Sequence, residues 1–234
     1  MKWAPFGAPI ECLARPVAGG GDPRYREWMS GLEPDSGFAE VFARVFGPPV
    51  ASARTSHIVV TWIESPLGPL VAGARGEGIC LLEYTDRRKL ETQVDTLQRR
   101  FDAEAVPGES PHFAQLRAEL AGYFAGRLRQ FSVPLVAPGT PFQERVWAEL
   151  LRIPYGETRS YEELARIAGA PGAQRAVGHA NGLNRIAIVI PCHRVVNKNG
   201  KLGGYGGLLW RKQALLDLER SGQLSLLSGG ASVD

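Results

Sequence analysis

The period of apolar and polar positions changes three times along the chain. Residues 1–30 show no period: Pro16, Gly19, Gly20, Gly21 and Pro23 break it up, and the segment reads as irregular chain. In GFAEVFARVF, residues 37–46, Phe38, Val41, Phe42, Val45 and Phe46 recur at helical spacing before Gly47-Pro48-Pro49 ends the helix. One amphipathic helix cannot bury its own stripe, so it is expected to dock on the rest of the protein. From His57 the pattern is that of strands. HIVVTWIES and PLVAGARGEGICLLEYT are predicted as β, with Pro66–Gly68 and Gly76–Gly78 as turns. Helices are predicted over about 87–101 and over 111–125, where Phe113, Leu116, Leu120 and Phe124 share a face. FSVPLVAPG, residues 131–139, reads as an edge strand running into a linker.

The remainder reads as helical. Thr140-Pro141-Phe142-Gln143 is a capping box with Pro at the first helical position. It opens a helix on which Phe142, Val146, Trp147, Leu150 and Leu151 form an apolar stripe. Tyr161–Ile167 and Gln174 to about Leu183 are predicted as two more helices, with Gly169-Ala170-Pro171-Gly172 turning the chain between them. Two short helices about a tight turn fit a helix-turn-helix. Ala176, Gly178, Ala180 and Gly182 give the second of these a surface of small residues. Glycine costs a helix roughly 1 kcal/mol against alanine. Two of them therefore need a reason, either close helix packing or close approach to a groove. The pattern as a whole predicts an α+β chain. An irregular extension with one helix covers 1–55, an α+β domain 56–137, a helical domain 138–221 and a disordered tail 222–234.

Composition narrows the class. The 234 residues are 44% hydrophobic and 22% charged, ordinary for a globular protein. No run approaches the ~20 apolar residues of a membrane span, and Pro5, Pro9 and Glu11 interrupt any signal-peptide core. Three cysteines, Cys12, Cys80 and Cys192, form no disulfide framework, and no CxxC or HxxxH pair offers a metal site. The expectation is a cytoplasmic protein without membrane, metal or cofactor. The net charge of +3 is uninformative, but residues 141–220 hold twelve Lys/Arg against seven Asp/Glu, while residues 1–140 hold fifteen against sixteen. Positive charge gathered in one segment is either an electrostatic footprint for phosphates or a solvated basic face.

The chemistry concentrates in IAIVIPCHRVV, residues 186–196, read as a buried strand ending at Pro191. Taken singly, a free Cys is more often a small buried hydrophobe than a nucleophile. Cys192, however, is followed at once by His193 and Arg194, groups able to stabilise a thiolate. Adjacent residues on an extended chain point opposite ways, so a Cys–His contact here needs a turn or an intervening water.

PCHRVV, with RAVGHANGLN before it and LGGYGG and WRKQALLDLE after it, resembles the O6-alkylguanine-DNA alkyltransferases over roughly residues 56–220. The resemblance implies a ribonuclease-H-like β-sheet domain followed by a mostly helical, winged-helix-like DNA-binding domain carrying the active site. It implies a monomer that binds the minor groove of double-stranded DNA containing alkylated guanine, flips the base and transfers the alkyl group irreversibly to itself. O4-alkylthymine is a further candidate substrate. By the same resemblance Cys192 is the alkyl acceptor, His193 its water-linked base and Glu219 the carboxylate that orients the base. Tyr161 approaches guanine N3, Arg175 fills the gap left in the duplex, and Asn184 is the hinge between recognition helix and active-site strand. The carbonyls of Cys192 and Val195 accept from the guanine amine, and Tyr205 and Gly206 belong to a loop closing over the base. Ala176, Gly178 and Arg194 are assigned to the DNA and substrate surface.

Simpler roles compete: Tyr161 as a core aromatic, Glu219 as a surface charge, Arg175 as a phosphate contact. Trp210 is assigned to packing or surface. The chain departs from the family pattern at Gly206, where many members carry Ser, and at Gly182, where several carry Arg. Zinc ligands found in some relatives have no counterpart. LEPDSGFAEVFARVFGPPVASAR, residues 32–54, resembles the last helix and tail of AraC-type domains in bifunctional adaptive-response regulators, and is read as a remnant. The alternatives to a suicide alkyltransferase are a non-enzymatic lesion binder, which would lack the reactive Cys, an alkylation-responsive regulator, and a cysteine hydrolase.

Overall fold

The computed structural model describes residues 56–224, and the readings made for residues 1–55 and 225–234 lie outside them. The described chain opens with β1 (His57–Ile63), β2 (Leu70–Arg75) and β3 (Gly78–Tyr84), followed by α1 (Leu90–Phe101), β4 (Glu104–Pro107) and α2 (Pro111–Phe124). The four strands form one sheet in the order β3-β2-β1-β4, with β1–β2 and β2–β3 antiparallel and β4 parallel to β1. β3 is buried along its whole length, because both faces of the sheet are covered. On one face Ile58, Val60, Val71, Cys80 and Leu81 pack with Leu90, Val94 and Leu97 of α1. On the other, Leu70, Ala72, Ile79, Leu82 and Tyr84 join Phe113, Leu116, Leu120 and Tyr123 of α2 in a core that continues into the second domain.

Two expectations for this domain need correction. The strand β4 was not anticipated: it has four residues, one of them buried, and ends in Pro, so it carries no alternating pattern. Residues 131–139 were expected as an edge strand, but make only a single bridge, Leu135 to Ile79, held by Ile79 N–H to Pro134 O and Val136 N–H to Ile79 O. This crossing explains Gly78. At φ 154° it passes so near the segment that a Cβ would lie 2.5 Å from Pro134 O.

The second domain contains α3 (Pro141–Leu151), β5 (Arg159–Ser160), α4 (Tyr161–Ile167), α5 (Gln174–Gly182), β6 (Val195–Val196) and α6 (Leu209–Ser221), with β5 and β6 paired in parallel. Both hydrogen bonds of the predicted Thr140–Gln143 capping box are present, and Ser160–Glu163 forms a second one at the start of α4. Helices α3, α4 and α5 pack together, and Trp147 Nε1 donates to Ala180 O at 2.9 Å. Leu151 departs from the predicted stripe and is half exposed. IAIVI is buried as expected but is no strand. Leu82 of β3 pairs once with it, through Leu82 N–H to Arg185 O and Ala187 N–H to Leu82 O, and the chain then turns, with Ile188 at φ 70°. A short apolar run looks the same whether strand or buried turn encloses it. Residues 222–224, assigned to a disordered tail, are ordered: Gly222 is the left-handed C-cap of α6 and Leu224 packs on the core. Among the described residues no helix is long and apolar enough to cross a membrane.

Candidate active site

Past Pro191, where the predicted strand was to end, the chain makes a 3₁₀ turn over Cys192–Arg194, closed by Arg194 N–H to Pro191 O at 3.0 Å. The turn allows consecutive side chains to serve one site. Cys192, 6% exposed, lines a cleft of about 560 Å³, while His193 points inward and is fully buried. His193 Nε2 lies 2.8 Å from Glu219 Oε1. Its Nδ1 is buried and meets no protein partner.

Glu219 is the most heavily hydrogen-bonded group in the site. Oε1 accepts from Tyr123 Oη at 2.7 Å, from His193 Nε2 and from an Arg194 terminal nitrogen at 2.9 Å. Oε2 accepts from Arg194 Nε at 2.9 Å and from Gly156 N–H at 3.0 Å. Burial opposes a charge on Glu219, but the hydrogen bonds and charges of His193 and Arg194 outweigh it and hold the carboxyl well below the usual range. Burial depresses the affinity of His193 for a proton, against the pull of Glu219. The resting state is therefore a neutral imidazole donating from Nε2 to an ionised carboxylate, which leaves Nδ1 as a lone-pair acceptor.

Burial also pushes the Cys192 thiol up; a hydrogen bond from Asn184 and the charges of Arg87 and Lys212 act the other way. Asn184 Nδ2 reaches Cys192 Sγ at 3.1 Å and Ile190 O at 2.9 Å, and its Oδ1 accepts from Ile186 N–H at 3.0 Å. The asparagine thus splints the link between α5 and the thiol. A protonated, buried thiol is quiet until a base removes its proton. Cys80, buried under α1, is pushed up to about 12 by desolvation and faces no such apparatus.

The mouth of the cleft is formed by Tyr161 of α4, by Arg175, Gly178 and Gly182 of α5, and by the loop 203–206. Tyr161 is half-buried, packed against the core as well as lining the cleft, and burial and the neighbouring Cys192 keep its hydroxyl protonated. Gly203 passes so close that a Cβ would lie 2.7 Å from the Tyr161 ring. Arg175 is exposed on the rim. The two glycines of α5 have no packing reason: a Cβ on Gly178 would stand 3.7 Å from Tyr161, in ordinary contact, and one on Gly182 would meet nothing within 4 Å. Close helix packing is thereby excluded as their cause.

The family model described as the 6-O-methylguanine DNA methyltransferase DNA binding domain matches residues 141–221, and that of the ribonuclease-like domain matches residues 58–137. The chain belongs to the 6-O-methylguanine DNA methyltransferase family. A methylated-DNA–protein-cysteine methyltransferase of Mycobacterium bovis is 50% identical over 159 residues, which are 68% of this chain and 90% of that protein. The constitutive methyltransferase of Bacillus subtilis is 43% identical over 161 residues, 68% of this chain and 94% of its own. Among solved structures, Mycobacterium tuberculosis OGT in complex with DNA superposes with a TM-score of 0.61 at 46% identity, covering 72% of this chain and 96% of that one.

Within this methyltransferase fold, the predicted residues Cys192, Tyr161, Arg175, Gly178, Tyr205 and Gly206 share the cleft, and His193, Glu219 and Asn184 stand directly behind it. Arg194, expected on the DNA surface, is buried: it clasps Glu219 and donates to Ile153 O at 2.6 Å. Ala176 is exposed on α5 but does not line the cleft. Val195 is buried, and its carbonyl already accepts from Lys212 Nζ at 2.5 Å. The basic excess of residues 141–220 is likewise less superficial than it looked, since Arg185, Arg194, Arg211 and Lys212 are buried. The residues missed were Tyr123, Gly156, Arg87 and Lys212. The first two serve Glu219 from 96 and 63 residues away, and no local motif signals them.

Proposed function

We propose that this chain repairs O6-alkylguanine in double-stranded DNA by moving the alkyl group to Cys192, once per molecule. The observation that carries this reading is that Cys192 lines the cleft wall while the next residue, His193, is locked through Nε2 to Glu219 and keeps Nδ1 open. Nδ1 takes the thiol proton through a bridging water. The thiolate sulfur attacks the alkyl carbon, an S–C bond forms, and the C–O6 bond breaks with its electron pair going to the purine. The purine recovers one proton, so guanine is restored and a thioether remains. A thioether has no facile reversal, which makes the reaction single-turnover. Tyr161, kept protonated, donates to the purine as its negative charge develops.

A base inside a duplex cannot reach a buried sulfur. It must be flipped, at a few kcal/mol of lost stacking and pairing. Arg175 fills the gap, a role supported by its exposure on the cleft rim, and the glycine face of α5 suits the minor groove, where shape dominates readout. The relatives' names and the OGT–DNA complex support a DNA partner. We assign the protein to the cytoplasm as a monomer, in keeping with its free buried thiols Cys80 and Cys192. A lesion binder without chemistry would have no use for the Cys192–His193–Glu219 arrangement.

The test is intact-mass measurement after incubation with an O6-methylguanine duplex. One added methyl on Cys192 is expected; Cys192→Ser should bind the same duplex and gain none. Methyl uptake by that variant, at Cys80 or Cys12, would falsify the assignment.

A further inference from the structure

Arg87 follows β3 and belongs to the ribonuclease-like domain, yet its guanidinium stands in the wall of the cleft that holds Cys192. It donates to the buried carboxylate of Glu83 on β3, to Gly182 O at 2.6 Å and to Asn184 O at 3.3 Å. The two carbonyls bracket the end of α5, and Asn184 is the residue whose amide reaches Cys192 Sγ. One planar cation therefore ties a strand of the first domain to the end of the glycine-faced helix and to the hydrogen-bond donor of the thiol. The same guanidinium fills the space over Gly206. A Cβ at that position would lie 2.5 Å from Arg87 Cζ and 2.8 Å from both terminal nitrogens. Held by three acceptors, the guanidinium cannot swing aside without leaving the buried Glu83 carboxylate without its cation.

We propose that Arg87 is a positioning and specificity-determining residue for alkyl transfer, supplied by the domain that does not contain the nucleophile. It holds Asn184 against Cys192, and by occupying the volume over Gly206 it limits the bulk of the alkyl group that the cleft takes. The proposal rests on the alkyl-transfer reading of Cys192. An alkyl carbon placed at Sγ must extend among the residues lining the cleft beside it, which include Ala187, Tyr205, Gly206 and Arg87. Truncating Arg87 then has two separable effects. Transfer of a small group slows because Asn184 loses its anchor, and a large group gains room.

Single-turnover rates at saturating DNA should be compared on duplexes carrying O6-methylguanine and O6-benzylguanine. The variants are Arg87→Ala, Gly206→Ser and the double substitution. Arg87→Ala is expected to lose about tenfold on methyl and to raise the benzyl-to-methyl rate ratio about tenfold. Gly206→Ser should lose about tenfold in the wild-type background and less than about twofold in the Arg87→Ala background, since the collision is gone. If Arg87→Ala does not fold, Arg87→Gln, which keeps an amide donor, gives the same ratio measurement. A lowered melting temperature with an unchanged benzyl-to-methyl ratio, and Gly206→Ser equally harmful in both backgrounds, would overturn the proposal. If the wild-type chain itself takes no alkyl group on Cys192, the functional reading has failed and this one falls with it. Transfer by wild type with an unchanged ratio in the variants removes Arg87 alone.

Discussion

Replacing Glu219 by Gln removes one charge and almost no volume, so its effect isolates the electrostatics of the buried network. The glutamine oxygen would take the side facing Tyr123, His193 and one Arg194 nitrogen. Its amide nitrogen would then face Arg194 Nε and Gly156 N–H, two donors against a donor. Arg194 would also be left buried without a counter-charge. Removing one partner of a buried pair costs about 3–5 kcal/mol. For a protein of this size each kcal/mol lowers the melting temperature by about 2–4 °C, so a fall of about 6–20 °C is expected. The reaction should slow as well, because an imidazolium forming at His193 no longer faces a carboxylate; positioned general bases contribute about 10²–10⁴-fold, and a loss of at least about 10²-fold is expected. The double substitution Glu219→Leu/Arg194→Met separates the two effects. It should regain stability over Glu219→Gln, since no unpaired guanidinium remains buried, without regaining rate, since His193 Nε2 still faces no carboxylate. Denaturant unfolding and single-turnover methyl uptake measure both quantities. A stability change below about 1 kcal/mol with an unchanged rate would refute the assignment of Glu219 as the anchor of the site.

Arg175→Ala should reduce repair of an alkylated duplex far more than reaction with free O6-benzylguanine, because a gap-filling side chain matters only when a base leaves a stack; equal losses would show a general catalytic or folding role. Gly178→Ala should raise stability by about 0.5–1 kcal/mol, since the added methyl meets only ordinary contacts, while weakening DNA affinity in a fluorescence titration. Unchanged affinity would remove the α5 face from the interface. Stability should fall as the pH drops from about 7 to 4. His193 has a lowered folded pKa, so below about 6.5 the unfolded chain binds a proton that the folded one refuses. Glu219 is also lowered, so its stabilisation is complete above about 4.3 and is lost as the pH falls further toward its folded value. A denaturation midpoint flat over that range, or one that falls below about pH 4.3 as steeply in Glu219→Gln as in the wild type, would contradict this assignment.

What the sequence determines by itself is local. β1 to β3 follow from alternation between glycine turns, α3 from the Thr140–Gln143 box, and α4 and α5 from the turn at 169–172, because each of these signals is written within a few residues of where it acts. PCHRVV marks the nucleophile in the same local way. The tertiary structure alone decides how the site is held. Arg194 looks like a surface base and is instead the counter-ion of Glu219. Tyr123 and Gly156 become its hydrogen-bond donors only when α2 and the loop after α3 meet α6. Arg87 enters the cleft from another domain. IAIVI is buried by being wrapped between the two domains rather than by joining a sheet. A buried charge is tolerable only if its partners surround it in space, and that requirement places no constraint on how far apart those partners lie along the chain.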